Sequence, residues 1–130
     1  MTPFPYSIET DATLAEAQAM MTDHAVRHLP VAISHVPVGM LSQRDLAAAL
    51  AAGAGAGGRL VRDVCTTDAY VVDLETRLDV VLSEMAERHI GSAIVTRHGK
   101  LAGVFTATDA CRAFAEHLRA TYPSPDDDAA

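Results

Sequence analysis

The feature that most constrains this chain is its likeness to itself. Shifting the sequence by 64 positions brings Leu14 onto Leu78, Met21 onto Met85, Val31 onto Val95, Gly39 onto Gly103 and Asp45 onto Asp109. Tyr6 falls on Tyr70, and no gap is needed from there to Leu50, which pairs with Phe114. Chemical class persists at Val26 with Ile90, Met40 with Val104, Leu41 with Phe105 and Ser42 with Thr106. An offset that stays constant through loops marks two copies of one supersecondary unit. Each copy has about 45 residues, below the size at which a lone core suffices, so the copies are expected to pack sheet against sheet about a pseudo-twofold axis.

Both copies carry the same order of elements. A short extended piece (Tyr6 to Ile8; Tyr70 to Val72) precedes an amphipathic helix with apolar residues at Leu14, Ala17 and Met21, or Leu78, Val81, Leu82 and Met85. Those spacings define one helical face. Asp11 or Thr13 is placed to cap the first of these helices and Thr76 the second. Two short strands follow, turning at Ser34-His35 and at His98-Gly99, and an Ala-rich helix starts at Ser42 or Thr106. The expected fold is therefore α+β, of α/β-sandwich type, with two β-α-β-β-α repeats. Residues 1–52 form the first repeat and 63–119 the second. Residues 53–62, containing Gly-Ala-Gly-Ala-Gly-Gly, read as a flexible linker, and 120–130 as a disordered acidic tail.

Composition narrows the function classes. Ala fills 24 of the 130 positions and Trp none, so the core must be built from small and branched aliphatic side chains. The net charge of −7, without any Lys or Arg cluster, argues against nucleic acid, whose binding needs concentrated basic groups. No apolar run approaches the ~20 residues that cross a bilayer, and the start of the chain lacks a signal-peptide pattern. A cytoplasmic protein with no membrane partner is expected. Cys65 and Cys111 form no CxxC pair and read as reduced thiols, Cys111 packed in its helix.

One motif occurs in both copies at the passage from strand to helix. It reads Gly39-Met40-Leu41-Ser42-Gln43-Arg44-Asp45 and Gly103-Val104-Phe105-Thr106-Ala107-Thr108-Asp109, that is, Gly-x-x-(Ser/Thr)-x-x-Asp. A hydroxyl at the cap with an acid three residues on is a capping box, which stabilises a helix start without any ligand. The same geometry also suits a nucleotide. The helix start offers open N–H groups and a positive dipole end for phosphate, and an Asp carboxylate can accept both vicinal hydroxyls of a ribose.

With these motifs, with His28-Leu29-Pro30-Val31 entering a strand, and with the lead-in Val61-Arg62-Asp63-Val64-Cys65-Thr66, the chain resembles a tandem pair of cystathionine-β-synthase (CBS) domains, a Bateman module. The resemblance covers residues 2–118 and implies a free-standing, non-enzymatic sensor. It implies that an adenosine compound (AMP, ADP or ATP, with S-adenosylmethionine a further candidate) binds between the repeats without any required cofactor. It further implies a homodimer and a regulated protein partner. By position, one cleft would hold Thr106, Asp109 and Val104 with Tyr6, Arg27 and His28; the other Ser42, Asp45 and Met40 with Tyr70, Gly91 and Ser92. Arg27 and His28 face uncharged Gly91 and Ser92 in this correspondence, which favours the Asp109 cleft for a phosphorylated ligand. The alternative is a ligand-free dimerisation module whose Asp residues only cap helices. His24 and His28 stand four apart but have no evident third ligand, so no metal site is expected.

Overall fold

A computed structural model describes residues 2–3, 6–53 and 55–123. In chain order the elements are β1 (Thr2–Pro3), β2 (Ile8–Glu9), α1 (Leu14–His24), β3 (His28–Ile33), β4 (Val36–Ser42) and α2 (Gln43–Leu50), then β5 (Val71–Asp73), α3 (Leu78–Arg88), β6 (Ser92–Arg97), β7 (Lys100–Thr106) and α4 (Ala107–Thr121). Two sheets form, with strand orders β2-β3-β4 and β1-β7-β6-β5. The 64-residue offset survives in detail. β2 runs parallel to β3 with Ile8 opposite Val31, and β5 parallel to β6 with Val72 opposite Val95. Both hairpins shift register at the same place, between Val31 and Ala32 and between Val95 and Thr96.

The repeats exchange their lead-in residues. Thr2 pairs antiparallel with Val104 of the second sheet. Its mate Thr66 pairs with Met40 of the first, through Met40 N–H to Thr66 oxygen at 2.9 Å and the reverse bond at 2.8 Å. This crossing requires Gly39, because a Cβ there would collide with the Thr66 carbonyl oxygen. Behind the exchange, Met40, Ile94 and Val104 form a small buried cluster joining the two sheets. The Leu101 N–H donates to the His35 carbonyl oxygen at 2.8 Å and ties the first hairpin turn to β7.

Each repeat keeps its own core, and the two are unequal. In the first, Leu14, Ala17 and Met21 of α1 pack with Leu29, Val31, Leu41 and Leu46. The segment expected to be a flexible linker docks here. Ala56–Gly58 and Val61–Asp63 are 3-10 turns, Ala56 is buried, and Val61 is fully buried in the same core. Leu14 N–H donates to Arg59 oxygen at 2.9 Å, and Val61 N–H to Ala12 oxygen at 2.8 Å. In the second repeat only Val81 and Met85 of α3 are buried, while Leu78 and Leu82 remain 48% and 37% exposed. One offset on from Leu60-Val61 the sequence has Ser124-Pro125, without the two aliphatic side chains, and these residues lie outside the described ones. α4 buries no residue and leaves Phe114 62% exposed.

Local details correct other expectations. Thr13 caps α1, accepting from Glu16 N–H at 3.2 Å. Thr76 does not cap α3; Arg77 occupies that position, its side chain paired with Asp79 and making no capping bond to the helix backbone. The preceding turn is instead held by Asp73, whose carboxylate accepts from Glu75 N–H at 2.9 Å. Cys111 is exposed on α4 rather than packed. α4 continues through Thr121, into the stretch read as tail, and residues 124–130 lie outside the described residues. Among the described residues no helix is long and apolar enough to cross a membrane.

Two predictions follow from this architecture. Gly39→Ala should destabilise the protein by about 1–3 kcal/mol in denaturant unfolding, by forcing Thr66 off the first sheet. At the first hairpin, Ser34 and His35 both hold positive φ, 50° and 68°, as a type I′ turn requires. Replacing them together by Asn and Gly should raise stability by about 1 kcal/mol, since both then enter this conformation with less strain.

Candidate functional site

The junctions from strand to helix organise two clefts. At the β7–α4 junction Thr106 is extended and caps the helix, its hydroxyl accepting from Asp109 N–H at 3.2 Å. Asp109 completes the box, with Oδ2 accepting from Thr106 N–H at 2.9 Å and from the Thr106 hydroxyl at 3.1 Å. The pre-strand carbonyl of Gly91 takes the first helical amide, Ala107 N–H, at 2.9 Å. The Thr108 N–H is left with no acceptor among the described residues. Opposite this helix start lies the end of α1. Ala25 terminates it in the left-handed region, turning Val26, Arg27 and His28 toward the second repeat. Tyr6 stacks on His24 with ring centroids 3.5 Å apart and planes 9° from parallel.

The resulting cleft has a volume of about 410 Å³ and is lined by Tyr6, Val26, Arg27 and His28 on one side and Val104, Thr106, Ala107 and Thr108 on the other. Gly91 lies between. Five of the six residues assigned to this cleft from the sequence therefore line it together. Asp109 does not. Its carboxylate sits behind the helix start, held by Thr106 and with Arg112 3.9 Å away. Arg27 is exposed and makes no ion pair or side-chain hydrogen bond among the described residues, so its charge is available to the cleft.

The second cleft, of about 190 Å³, brings together all six residues assigned to it: Met40, Ser42 and Asp45 with Tyr70, Gly91 and Ser92. Ser42 caps α2 by accepting from Asp45 N–H at 3.1 Å. The reciprocal bond is missing here, and the Asp45 carboxylate accepts no hydrogen bond among the described residues. It stands open where its mate is occupied. Arg88 also lines this cleft, its guanidinium 5.1 Å from the Tyr70 ring centroid and donating to Asp68 oxygen at 3.1 Å. The sequence comparison of pre-strand residues, which set Arg27-His28 against uncharged Gly91-Ser92, missed this cation. The signal was present: Arg88 is the offset mate of His24, so Tyr70–Arg88 repeats Tyr6–His24.

His28 borders both clefts. Burial lowers its proton affinity below the ordinary imidazole value, Arg27 lowers it further, and Asp45 partly opposes them. Burial likewise raises the Cys65 thiol. No group of three or more His, Cys, Asp or Glu residues is placed to hold a metal among the described residues.

The chain is similar in sequence and fold to known proteins. The CBS domain family model matches residues 1–52 and 61–116. A Vibrio cholerae protein assigned to acetoin utilization (AcuB) superposes with a TM-score of 0.82 at 27% identity, covering 95% of this chain and 93% of that one. The CBS domain pair of MJ0100, solved with 5-methylthioadenosine and S-adenosyl-L-methionine, gives a TM-score of 0.77 at 23% identity over 87% of this chain and 90% of its own. Inosine-5'-monophosphate dehydrogenase of Korarchaeum cryptofilum is 29% identical over 104 residues, 79% of this chain, which spans only 21% of that enzyme.

The His28 environment carries a pH dependence. The unfolded chain binds a proton at this residue near pH 6.5, more readily than the folded protein does, so stability present above that pH is lost as pH falls. The melting temperature should decline between about pH 7.5 and about 5.5, and His28→Gln should make that decline shallower. With two matched repeats, reciprocal strand exchange and paired inter-repeat clefts in hand, the chain belongs to the CBS domain family as a tandem pair.

Proposed function

We propose that this protein is a non-enzymatic sensor that binds an adenosine-containing ligand, AMP, ADP or ATP, in the larger cleft and adjusts a partner or its own assembly. The observation that carries this reading is the pairing of walls. Arg27, from the first repeat, faces the open Thr108 amide at the start of α4, from the second. A guanidinium opposite a helix N-terminus suits a phosphate, and Val26 and Val104 offer apolar contact to a base. The 410 Å³ volume falls within the ~300–1,000 Å³ usual for small-molecule sites. The 190 Å³ cleft falls below it and suits a smaller or less charged group, with Asp45 as hydroxyl acceptor. The adenosine compounds bound by the MJ0100 pair agree with this ligand class.

A ligand touching both walls adds a bridge to the backbone exchange and the small Met40–Ile94–Val104 cluster that already join the repeats. It biases their relative arrangement by the difference in its affinity for each. The exposed apolar strip of Leu78, Leu82, Phe114 and Leu118 offers a surface for a second copy of the chain. S-adenosylmethionine is the ligand to compare with the nucleotides. One observation favours the rival, ligand-free reading: the Asp109 carboxylate is engaged by its own helix cap, completing a capping box with Thr106.

Thermal unfolding with each nucleotide separates the two. Saturation at 100 times the dissociation constant should add about 2.7 kcal/mol, several degrees for a domain of this size. Arg27→Ala should leave the stability of the protein without nucleotide within about 0.5 kcal/mol of the parent. It should weaken AMP by about 1.5–3 kcal/mol while sparing adenosine. Asp109→Ala should cost about 1 kcal/mol of stability whether or not ligand is present. No shift with any adenosine compound would leave the dimerisation module as the function.

A further inference from the structure

The two clefts are not insulated from each other. Among the described residues His28 is the one ionisable side chain that borders both. As the first residue of β3 it pairs across the sheet with Ser42, the residue that caps α2 and fronts the smaller cleft. Arg27 precedes it on the larger-cleft side, where Tyr6 lines the same wall. On the other side it faces Asp45 from α2, with Asp68, Tyr70 and Arg88 of the second repeat beyond. Its repeat mate is Ser92, which cannot titrate, so only one repeat carries this group.

We infer that His28 couples the clefts: an anion held beside Arg27 draws a proton from solvent onto its imidazole, and the imidazolium so formed engages Asp45 in the neighbouring cleft. The inference rests on the ligand reading above for the source of the anion. The surrounding charges make the imidazole responsive. Arg27 and burial keep it neutral near neutral pH, while Asp45 already favours the charged form. An anion beside Arg27 offsets the repulsion and adds attraction of its own. Once charged, His28 has a carboxylate partner in Asp45, which accepts no other hydrogen bond among the described residues. Asp45 is then less available to a hydroxyl-bearing ligand in the smaller cleft. Occupation of one cleft thereby disfavours the other, and by linkage the effect is reciprocal.

The test follows the His28 ring resonances of the full chain by NMR across pH, alone and with saturating AMP or adenosine. AMP should raise the His28 midpoint by about one unit, a tenfold gain in proton affinity, and adenosine should leave it in place. In Asp45→Asn the AMP-induced rise should shrink. If AMP shifts the Tyr6 and Thr106 resonances while the His28 midpoint stays, the coupling is overturned and the ligand reading stands. The same holds if the rise is undiminished in Asp45→Asn or if adenosine produces it equally. If AMP perturbs no resonance, the ligand reading itself fails and takes the coupling with it.

Discussion

The structure depends on a backbone exchange between its halves. Each repeat contributes a lead-in residue to the edge of the other's sheet, Thr66 beside Met40 and Thr2 beside Val104. Hydrogen bonds of this kind are directional and fix register, which the small apolar cluster of Met40, Ile94 and Val104 alone would not do. The residues this exchange reaches, Val104 in one sheet and Met40 in the other, line the two clefts. Gly39 is the point on which this hinges, since no other residue lets Thr66 approach so closely.

Electrostatics separate clefts that topology makes alike. Both helix starts have a hydroxyl cap and an acid three residues on. At Thr106 the acid turns inward and completes the box, leaving Arg27 as the dominant charge of the larger cleft. At Ser42 the acid stays open, and Arg88 is drawn over Tyr70. One duplicated motif thus presents a cationic face on one side and a mixed one on the other.

Much of this was legible in the sequence because the duplication acts as a built-in alignment. The offset of 64 located both hairpins and both helix starts at Ser42 and Thr106, while the family resemblance, carried over by position, named twelve cleft residues, of which eleven line the two clefts. What escaped depends on tertiary context. Glycine-rich composition suggested slack for residues 53–58, yet Val61 just beyond is buried and draws that segment onto α1. Leu78 and Leu82 have the periodicity of a buried face but lack the plug that covers Leu14. Asp109 was placed in the cleft because its spacing allows a ribose contact; spacing does not reveal which way a carboxylate turns when its own cap competes for it. Arg88 escaped because charge was compared only at the pre-strand positions.

The plug of Leu60 and Val61 has a further consequence. It makes the first repeat self-contained and leaves the second with an open flank along α3 and α4. Local opening free energy follows buried apolar contact, so the halves should breathe unequally, with α4 the first element to fray. A sensor built this way has a stiff frame and a pliant arm. Whatever settles on the arm, a second chain or a client, would meet the half that also supplies the helix start of the larger cleft.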